Sequence, residues 1–314
     1  MIKFAFQKIL HTMLVMLGVS LLTFFLGRFT PGDPVETLLS ANPNPTLEDR
    51  RLAEEYLGLD KPMLAQYFTW VERVLYGDFG TSYKTGRAVS YELSLRFPAS
   101  MKLAGGAVIT MLIVGFSLGI FSALNQNNAA DYIIRIINII LISIPTFCLG
   151  ILLIITFGVK LKVLPTMGSE KPIHLILPSV SIGLGAGANL ARLIRTQMLS
   201  VMGKDHVIAA ITYGVSRRRV IINHILKNVF PPILTNIGIS IGALIGGSAI
   251  IETLFVWAGA GSYLVEAIAG RDYPIIQAYA LIMSFVYVAL NLLIDFSYRL
   301  LMPSAVIMET QNES

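Results

Sequence analysis

Four histidines and one cysteine are the first candidates for ligand or nucleophile chemistry, and their spacing argues against both. His11, His174, His206 and His224 are scattered, with no two at the close helical interval of a metal-binding pair. Cys148 is the single cysteine, so it has no intramolecular disulfide partner and reads as a small buried apolar residue. The 12 methionines are ordinary filling for helix cores. No G-x-x-x-x-G-K-S/T string exists to cradle a nucleotide phosphate, and no nucleophile elbow or Ser/His/Asp grouping can be picked out. The chain is therefore expected to hold no metal or cofactor and to hydrolyse nothing itself. The remaining polar candidates are of another kind. Asn138, Asn189, Asn236, Asn291 and Asp295 fall in or at the edge of apolar windows. A polar group there faces the bundle interior or a water path. Asn138, Asn189 and Asn236 are candidates to line such a path, with helix-to-helix hydrogen bonding as the alternative. Asp295 and Arg299, four apart, share a helix face and can pair as a latch near the membrane interface.

A second constellation suits contact rather than chemistry. It reads Asp205-His206-Val207-Ile208-Ala209-Ala210-Ile211-Thr212-Tyr213-Gly214, then Val215-Ser216-Arg217-Arg218-Arg219, and closes at Pro231-Pro232. Ala209 and Ala210 are strong helix formers without bulk. Gly214 can take positive φ and end the helix. The pattern predicts a short stiff helix, a basic run and a proline stop. It fits an ordinary cytoplasmic helix with a glycine cap or a docking element.

The elements that position these residues are membrane helices. The chain has 314 residues, 54% hydrophobic and 14% charged, with mean hydropathy +0.69. A soluble domain is about one-quarter charged. Six windows free of Asp, Glu, Lys and Arg approach or exceed the ~20 residues that cross a bilayer. They run over 10–27, 103–130, 136–159, 172–191, 228–251 and 273–294. The fourth carries Pro178, Gly183, Gly185 and Gly187, tolerated where neighbouring helices restore backbone bonds and approach closely. Lys3 and Lys8 precede the first window, but no small-x-small cleavage pattern follows, so an uncleaved span is expected.

Basic residues orient the spans. Arg192, Arg195, Lys204, Arg217, Arg218, Arg219 and Lys227 stand against Asp205 alone, so the loop at about 192–227 is expected in the cytoplasm. Both termini then lie inside, in agreement with Lys3, Lys8 and Arg299. Lys160, Lys162 and Lys171 run against this rule and are outvoted. The net charge of +5 is a topology signal that also faces anionic lipid; no nucleic acid is needed to explain it.

The chain is expected to divide into a first span at 1–27, an external cap at 28–102, and a core at 103–314 that includes the cytoplasmic loop. The cap is nearly balanced in charge and rich in turns, at Pro31-Gly32-Asp33-Pro34 and Asn42-Pro43-Asn44-Pro45. Thr46 with Asp49 signals a helix start, with Leu52, Tyr56, Leu57 and Leu59 as its apolar face. A second helix is expected over 63–76, with Leu64, Tyr67, Phe68, Val71 and Leu75 on one side. Two such helices are too few for an independent core.

Several strings together resemble one family. Ala209-Ala210 with Gly214 is similar to the E-A-A-x-x-x-G signature of permease subunits of bacterial ATP-driven importers. Thr30-Pro31-Gly32-Asp33-Pro34, Leu57-Gly58-Leu59-Asp60, Gln66-Tyr67, Gly77-Asp78-Phe79-Gly80-Thr81-Ser82, Glu252-Thr253-Leu254-Phe255-Val256-Trp257 with Gly259 and Gly261, and Arg271-Asp272-Tyr273-Pro274 follow in order. The ordered set resembles the first of the two paired permeases of the peptide and nickel branch. Ile208 stands where the acid of the signature would be, and Ala258 where the family usually has proline. The resemblance implies an all-α type I permease with six transmembrane helices and a small external cap in the bacterial inner membrane. It implies a homologous second permease, two ATPase subunits that use ATP and Mg, and an external solute-binding protein. It carries over Asp205, Ala209, Ala210, Gly214, Arg217 and Arg218 as ATPase-coupling residues.

Leu164-Pro165-Thr166-Met167-Gly168, the 174–182 segment, and Ile241-Gly242-Ala243-Leu244-Ile245-Gly246-Gly247 with Ile250-Ile251-Glu252 resemble the nickel importers most. Nickel, free or chelated, is thus the expected solute, with di- or oligopeptides as the alternative. An ATP-independent carrier would show paired mid-membrane charges and an inverted repeat, and neither is visible. A membrane sensor reporting through the basic loop would have no need of glycine-rich spans.

Overall fold

The apolar windows become helices, but their ends fall where capping and proline chemistry put them rather than where charge begins. The structure, a computed structural model, describes the backbone of residues 2–29, 34–39, 44–56, 58–59 and 61–301. Helices are α1 (Ile2–Phe29), α2 (Pro34–Leu39), α3 (Leu47–Tyr56), α4 (Met63–Leu75), α5 (Val89–Leu124), α6 (Ala129–Ser143) and α7 (Thr146–Leu153). There follow α8 (Ile176–Met202), α9 (Asp205–Thr212), α10 (Arg217–Arg219), α11 (Lys227–Gly246), α12 (Ala249–Leu254), α13 (Ala260–Ala269) and α14 (Tyr273–Leu301). Wider π-type turns continue α7 over Ile154–Lys160 and join α10 to α11 over Val220–Leu226. Five described helices are long and apolar enough to cross a membrane, and one bent pair raises the number to six.

That bent pair corrects the third window. The 136–159 run is not one straight span: α6 and the α7 segment meet at 105°. Ile144 is extended, with φ −80° and ψ 124°, and Pro145 caps α7. A residue before proline is pushed out of the helical region, so the break sits where it must although hydropathy runs through it. Other prolines do not break helices. Pro231 and Pro232 lie inside α11 instead of stopping the loop, and Pro98 lies inside α5.

The chain divides into two compact units, one of residues 1–99 and 258–288, the other of 100–257 and 289–314. In the first, Val89 and Leu93 of α5 pack with Ala260, Tyr263 and Ala267 of α13 and Ile275, Ala278 and Tyr279 of α14. Arg96 lies over the Tyr263 ring at 3.9 Å, and burial pushes that phenol's pKa up. Helix α4 leans on α1: Tyr67 and Ser20 share a 2.8 Å hydrogen bond, and Phe24 packs edge-on against Tyr67. The expected apolar stripe of α4 is mostly outward, since Leu64, Phe68 and Leu75 are exposed and Tyr67 is buried. The α3 start is a reciprocal cap: Asp49 N donates to Thr46 Oγ1 at 3.1 Å and Thr46 N donates to Asp49 Oδ2 at 2.9 Å. Those bonds hold the Asp49 carboxyl below its usual range. In α3 Ala53 is buried, whereas Leu52 is exposed. The expected turns at 31–33 and 42–43 and the expected contact residue Leu57 lie outside the described residues, as do the side chains of Tyr56, Asp295 and Arg299.

In the second unit α8 is the central element, packing against α6, α7 and α11. Glycines bring it close to α5: a Cβ at Gly183 would fall 2.6 Å from Ala107 O, and one at Gly187 2.8 Å from Val114 Cβ. Helix α8 continues to Met202, so Arg192 and Arg195 lie on the same helix as the fourth window, a candidate span over Pro172–Met202. The window ended at 191 only because Arg192 is charged.

Candidate functional site

Helices α6, α7, α8 and α11 leave a cleft of about 700 Å3 in the second unit. It exists because α8 turns two unlike faces outward. At 100° per residue, Gly185, Asn189, Arg192 and Thr196 fall on one side. All four line the cleft, facing Asn236 and Ser240 of α11 and Thr146 of α7. Asn189 Nδ2 donates to Gly185 O at 3.3 Å, and Arg192 Nη2 donates to Asn189 Oδ1 at 3.1 Å. Thr196 Oγ1 bonds back to Arg192 O at 2.9 Å. Two of the three expected pathway residues, Asn189 and Asn236, are thus brought together. The third is not: Asn138 is absent from the described lining, is 7% exposed, and its Oδ1 has no hydrogen-bond partner among the described residues.

The predicted contact helix is α9. Its end is a Schellman turn: Val215 N donates to Ala210 O at 3.1 Å, Gly214 N donates to Ile211 O at 3.0 Å, and Gly214 has φ +77°. Ala209 and Ala210 do not share a face. Ala210 and Val207 are buried against the unit, while Ala209 is exposed beside Ile208 and Ile211. Ile208, Ile211 and Thr212 form the outward stripe, so an exposed apolar side chain stands where the signature has an acid. Asp205 begins α9, Arg217 and Arg218 begin the helical run that leads into α11, and all three are exposed. Nothing lies within 4 Å of a Cβ built at Gly214.

Four buried acids are structural centres. Asp131, fully buried, takes a bidentate pair from Arg195, Nε at 2.8 Å and Nη2 at 2.7 Å, with Ser122 Oγ at 2.5 Å and Asn127 N at 3.1 Å. This ties the end of α5, the start of α6 and the middle of α8. Glu252 Oε1 accepts from Ser100 at 2.7 Å and Ser248 at 2.8 Å, and its carbonyl takes Trp257 N at 2.7 Å. Asp272 accepts from Ser82 Oγ at 2.5 Å and Tyr83 N at 3.2 Å. Glu92 pairs with Arg96 and, at 3.7 Å, Arg87. Glu252 and Asp272 lie in the family-like strings; Asp131 stands nine residues past Ser122 and 64 before Arg195, a spacing with no local signature. No group of three His, Cys, Asp or Glu able to hold a metal occurs among the described residues.

Known proteins bear on this geometry. Residues 115–306 match the binding-protein-dependent transport system inner membrane component family, and 1–104 match its N-terminal family. The glutathione transport system permease protein GsiC of Salmonella choleraesuis strain SC-B67 is 34% identical over 304 residues, covering 97% of this chain and 99% of that protein. GsiC of Escherichia coli K12 has the same identity and coverage. A solved MetNI methionine ABC transporter in an inward-facing conformation shares the fold, with TM-score 0.58 and 16% identity over 67% of this chain and 96% of the other. An amino acid ABC transporter solved with histidines gives TM-score 0.51 at 16% identity, over 67% and 94%. With both family models matched along the chain and full-length relatives at 34% identity, this protein belongs to the binding-protein-dependent inner membrane permeases, in the peptide and nickel group of ABC importers.

Proposed function

We propose that this chain forms half of the path for small peptides, and that the path runs along the α8–α11 cleft. As a permease of this family it is a multi-pass inner membrane protein and not an enzyme; ATP hydrolysis belongs to separate subunits. The observation that carries this reading is the cleft's lining. Asn189, Asn236, Ser240, Thr146 and Thr196 offer amide and hydroxyl groups suited to a peptide backbone, and no His, Cys, Asp or Glu lies among the described lining residues. The tripeptide in the relatives' names supports the same solute class. Nickel, free or chelated, stays as the second reading on the 164–168 and 174–182 strings. In those strings His174 is engaged locally, its Nδ1 3.1 Å from Lys171 O and its Nε2 3.7 Å from Glu170.

The partners in this reading are a homologous second permease, two ATPase subunits with their ATP and Mg, and an external binding protein. Helix α9 transmits the ATPase motion through Ile208, Ala209 and Ile211, with Asp205, Gly214, Arg217 and Arg218 at its margins. In this reading α9 and both termini lie in the cytoplasm, an orientation that the basic loop supports. A deletion strain tests the solute: labelled glutathione and dipeptide uptake should fall with nickel-63 uptake unchanged, and the reverse pattern would transfer the assignment to nickel. Orientation is tested in a Cys148→Ala background. Arg218→Cys should react only with reagents that reach the cytoplasm and Asn44→Cys only from outside; labelling of the Arg218 site in intact cells would invert the topology.

A further inference from the structure

Arg192 and Arg195 stand one turn apart on α8 and meet opposite fates. Arg195 is spent on Asp131 through both arms of its guanidinium. Arg192 has no acidic partner among the described residues, and its bond to Asn189 Oδ1 is its single side-chain hydrogen bond there. It is also the one charged side chain among the described residues lining the cleft. Ten residues of α8 separate it from Met202, about 15 Å along the axis. A cation at that depth stays charged only against a partner or in a water-filled cavity. A guanidinium has five N–H donors in a planar fork that matches a carboxylate. Asn189, itself anchored to Gly185 O, takes one donor and steadies the rest.

We propose that Arg192 is the carboxylate-receiving residue of the cleft, and that the imported solute presents a free carboxylate to it in passage. The proposal rests on the reading of the cleft as the path. The same lone positive charge repels a bare divalent cation, so nickel would pass only inside a carboxylate-bearing carrier. Contact with one exposed guanidinium is brief, which suits a permease that must release what it admits.

The test uses proteoliposomes of the assembled importer with its binding protein, offered labelled glutathione, dialanine, dialanine amide and nickel-63. Arg192→Gln should lower uptake of the free-acid probes about tenfold, while Arg192→Lys, which keeps the charge and loses the fork, should retain roughly a third. Abundance and binding-protein-stimulated ATP hydrolysis, read on the same vesicles, should stay at wild-type levels. In wild-type vesicles at matched binding-protein occupancy, the amide should enter about tenfold more slowly than the acid. Equal rates for acid and amide, wild-type uptake by Arg192→Gln, or import of bare nickel alone would each overturn the proposal. Gly185→Trp, which fills the cleft, separates the two readings. If it accumulates and transports normally, the cleft is not the path. If it blocks every solute while Arg192→Gln transports normally, the path stands and the carboxylate role falls.

Discussion

Helix α8 has two faces built from similar residues to opposite ends. On one, Gly183 and Gly187 bring the backbone against α5, Leu190, Ala191, Ile194 and Met198 are fully buried, and Arg195 is consumed by Asp131. On the other, Gly185 opens on the cleft, Asn189 is held by its own helix, and Arg192 has no acidic partner among the described residues. Glycine and arginine occur on both, so residue type does not mark the functional side. What marks it is whether the interactions close within the chain. A face whose polar groups are satisfied internally holds helices together; one whose polar groups remain open has business with something else.

The largest effect should come from opening the closed face. Asp131→Ala leaves the Arg195 guanidinium in a site shaped for a carboxylate, and breaking a buried pair costs about 3–5 kcal/mol. Loss of accumulation in the membrane, or a collapse of the thermal transition in detergent, is expected. Asp131→Leu with Arg195→Met removes both charges and should recover most of that loss, since replacing a whole buried pair by apolar residues is often near neutral. A double variant as unstable as the single one would mean that the carboxylate holds the chain through Ser122 and Asn127 rather than through the ion pair.

Helix α9 repeats the contrast on a smaller scale. Val207 and Ala210 face inward; Ile208 and Ile211 face out, at 51% and 59% exposure. Ile211→Asp should leave abundance unchanged, because that side chain is largely exposed, and abolish uptake, because it puts a charge in the proposed docking stripe. Gly214→Ala meets no neighbour, so its penalty is the left-handed backbone alone, roughly 1–2 kcal/mol. Gly214→Arg should add a loss of uptake that exceeds anything its stability explains. Uptake at wild-type rate in either Ile211→Asp or Gly214→Arg would make the outer face of α9 ordinary loop surface.

Much of this architecture is legible in the residues. Apolar windows reveal membrane helices, Thr46 and Asp49 mark a helix start, and Gly214 marks a helix end. Where the reading fails, the cause is that charge and hydropathy report solvent, and solvent is not always outside. Arg192 looks like the end of a span because it is charged, yet helix α8 runs on to Met202 and the side chain lines the cleft. The bend at Ile144-Pro145 is invisible to hydropathy because both of its arms are apolar, although the proline rule alone locates it. The Asp131–Arg195 pair spans 64 residues, and only the packing of α6 on α8 reveals it. Ala209 and Ala210 resemble each other in sequence and differ in space, since adjacent residues lie 100° apart on a helix.

The smallest effect is the sharpest test of the α8 comparison, because it uses one substitution at two sites. A Cβ at Gly183 would lie 2.5 Å from Thr110 Cβ and 2.6 Å from the backbone oxygen of Ala107, and backbone cannot swing aside. Gly183→Ala should therefore destabilise by about 1–3 kcal/mol, the usual cost of overpacking. At Gly185 the nearest atom is Leu141 O at 3.6 Å, an ordinary contact. There the helix propensity of alanine over glycine, up to about 1 kcal/mol, is unopposed. Gly185→Ala should raise the melting temperature slightly in detergent and leave peptide uptake near wild type, since one methyl group narrows a cleft of about 700 Å3 very little. Equal destabilisation at both positions would show that the cleft is closed by packing in the membrane, and the division of α8 into a closed and an open face would fail with it.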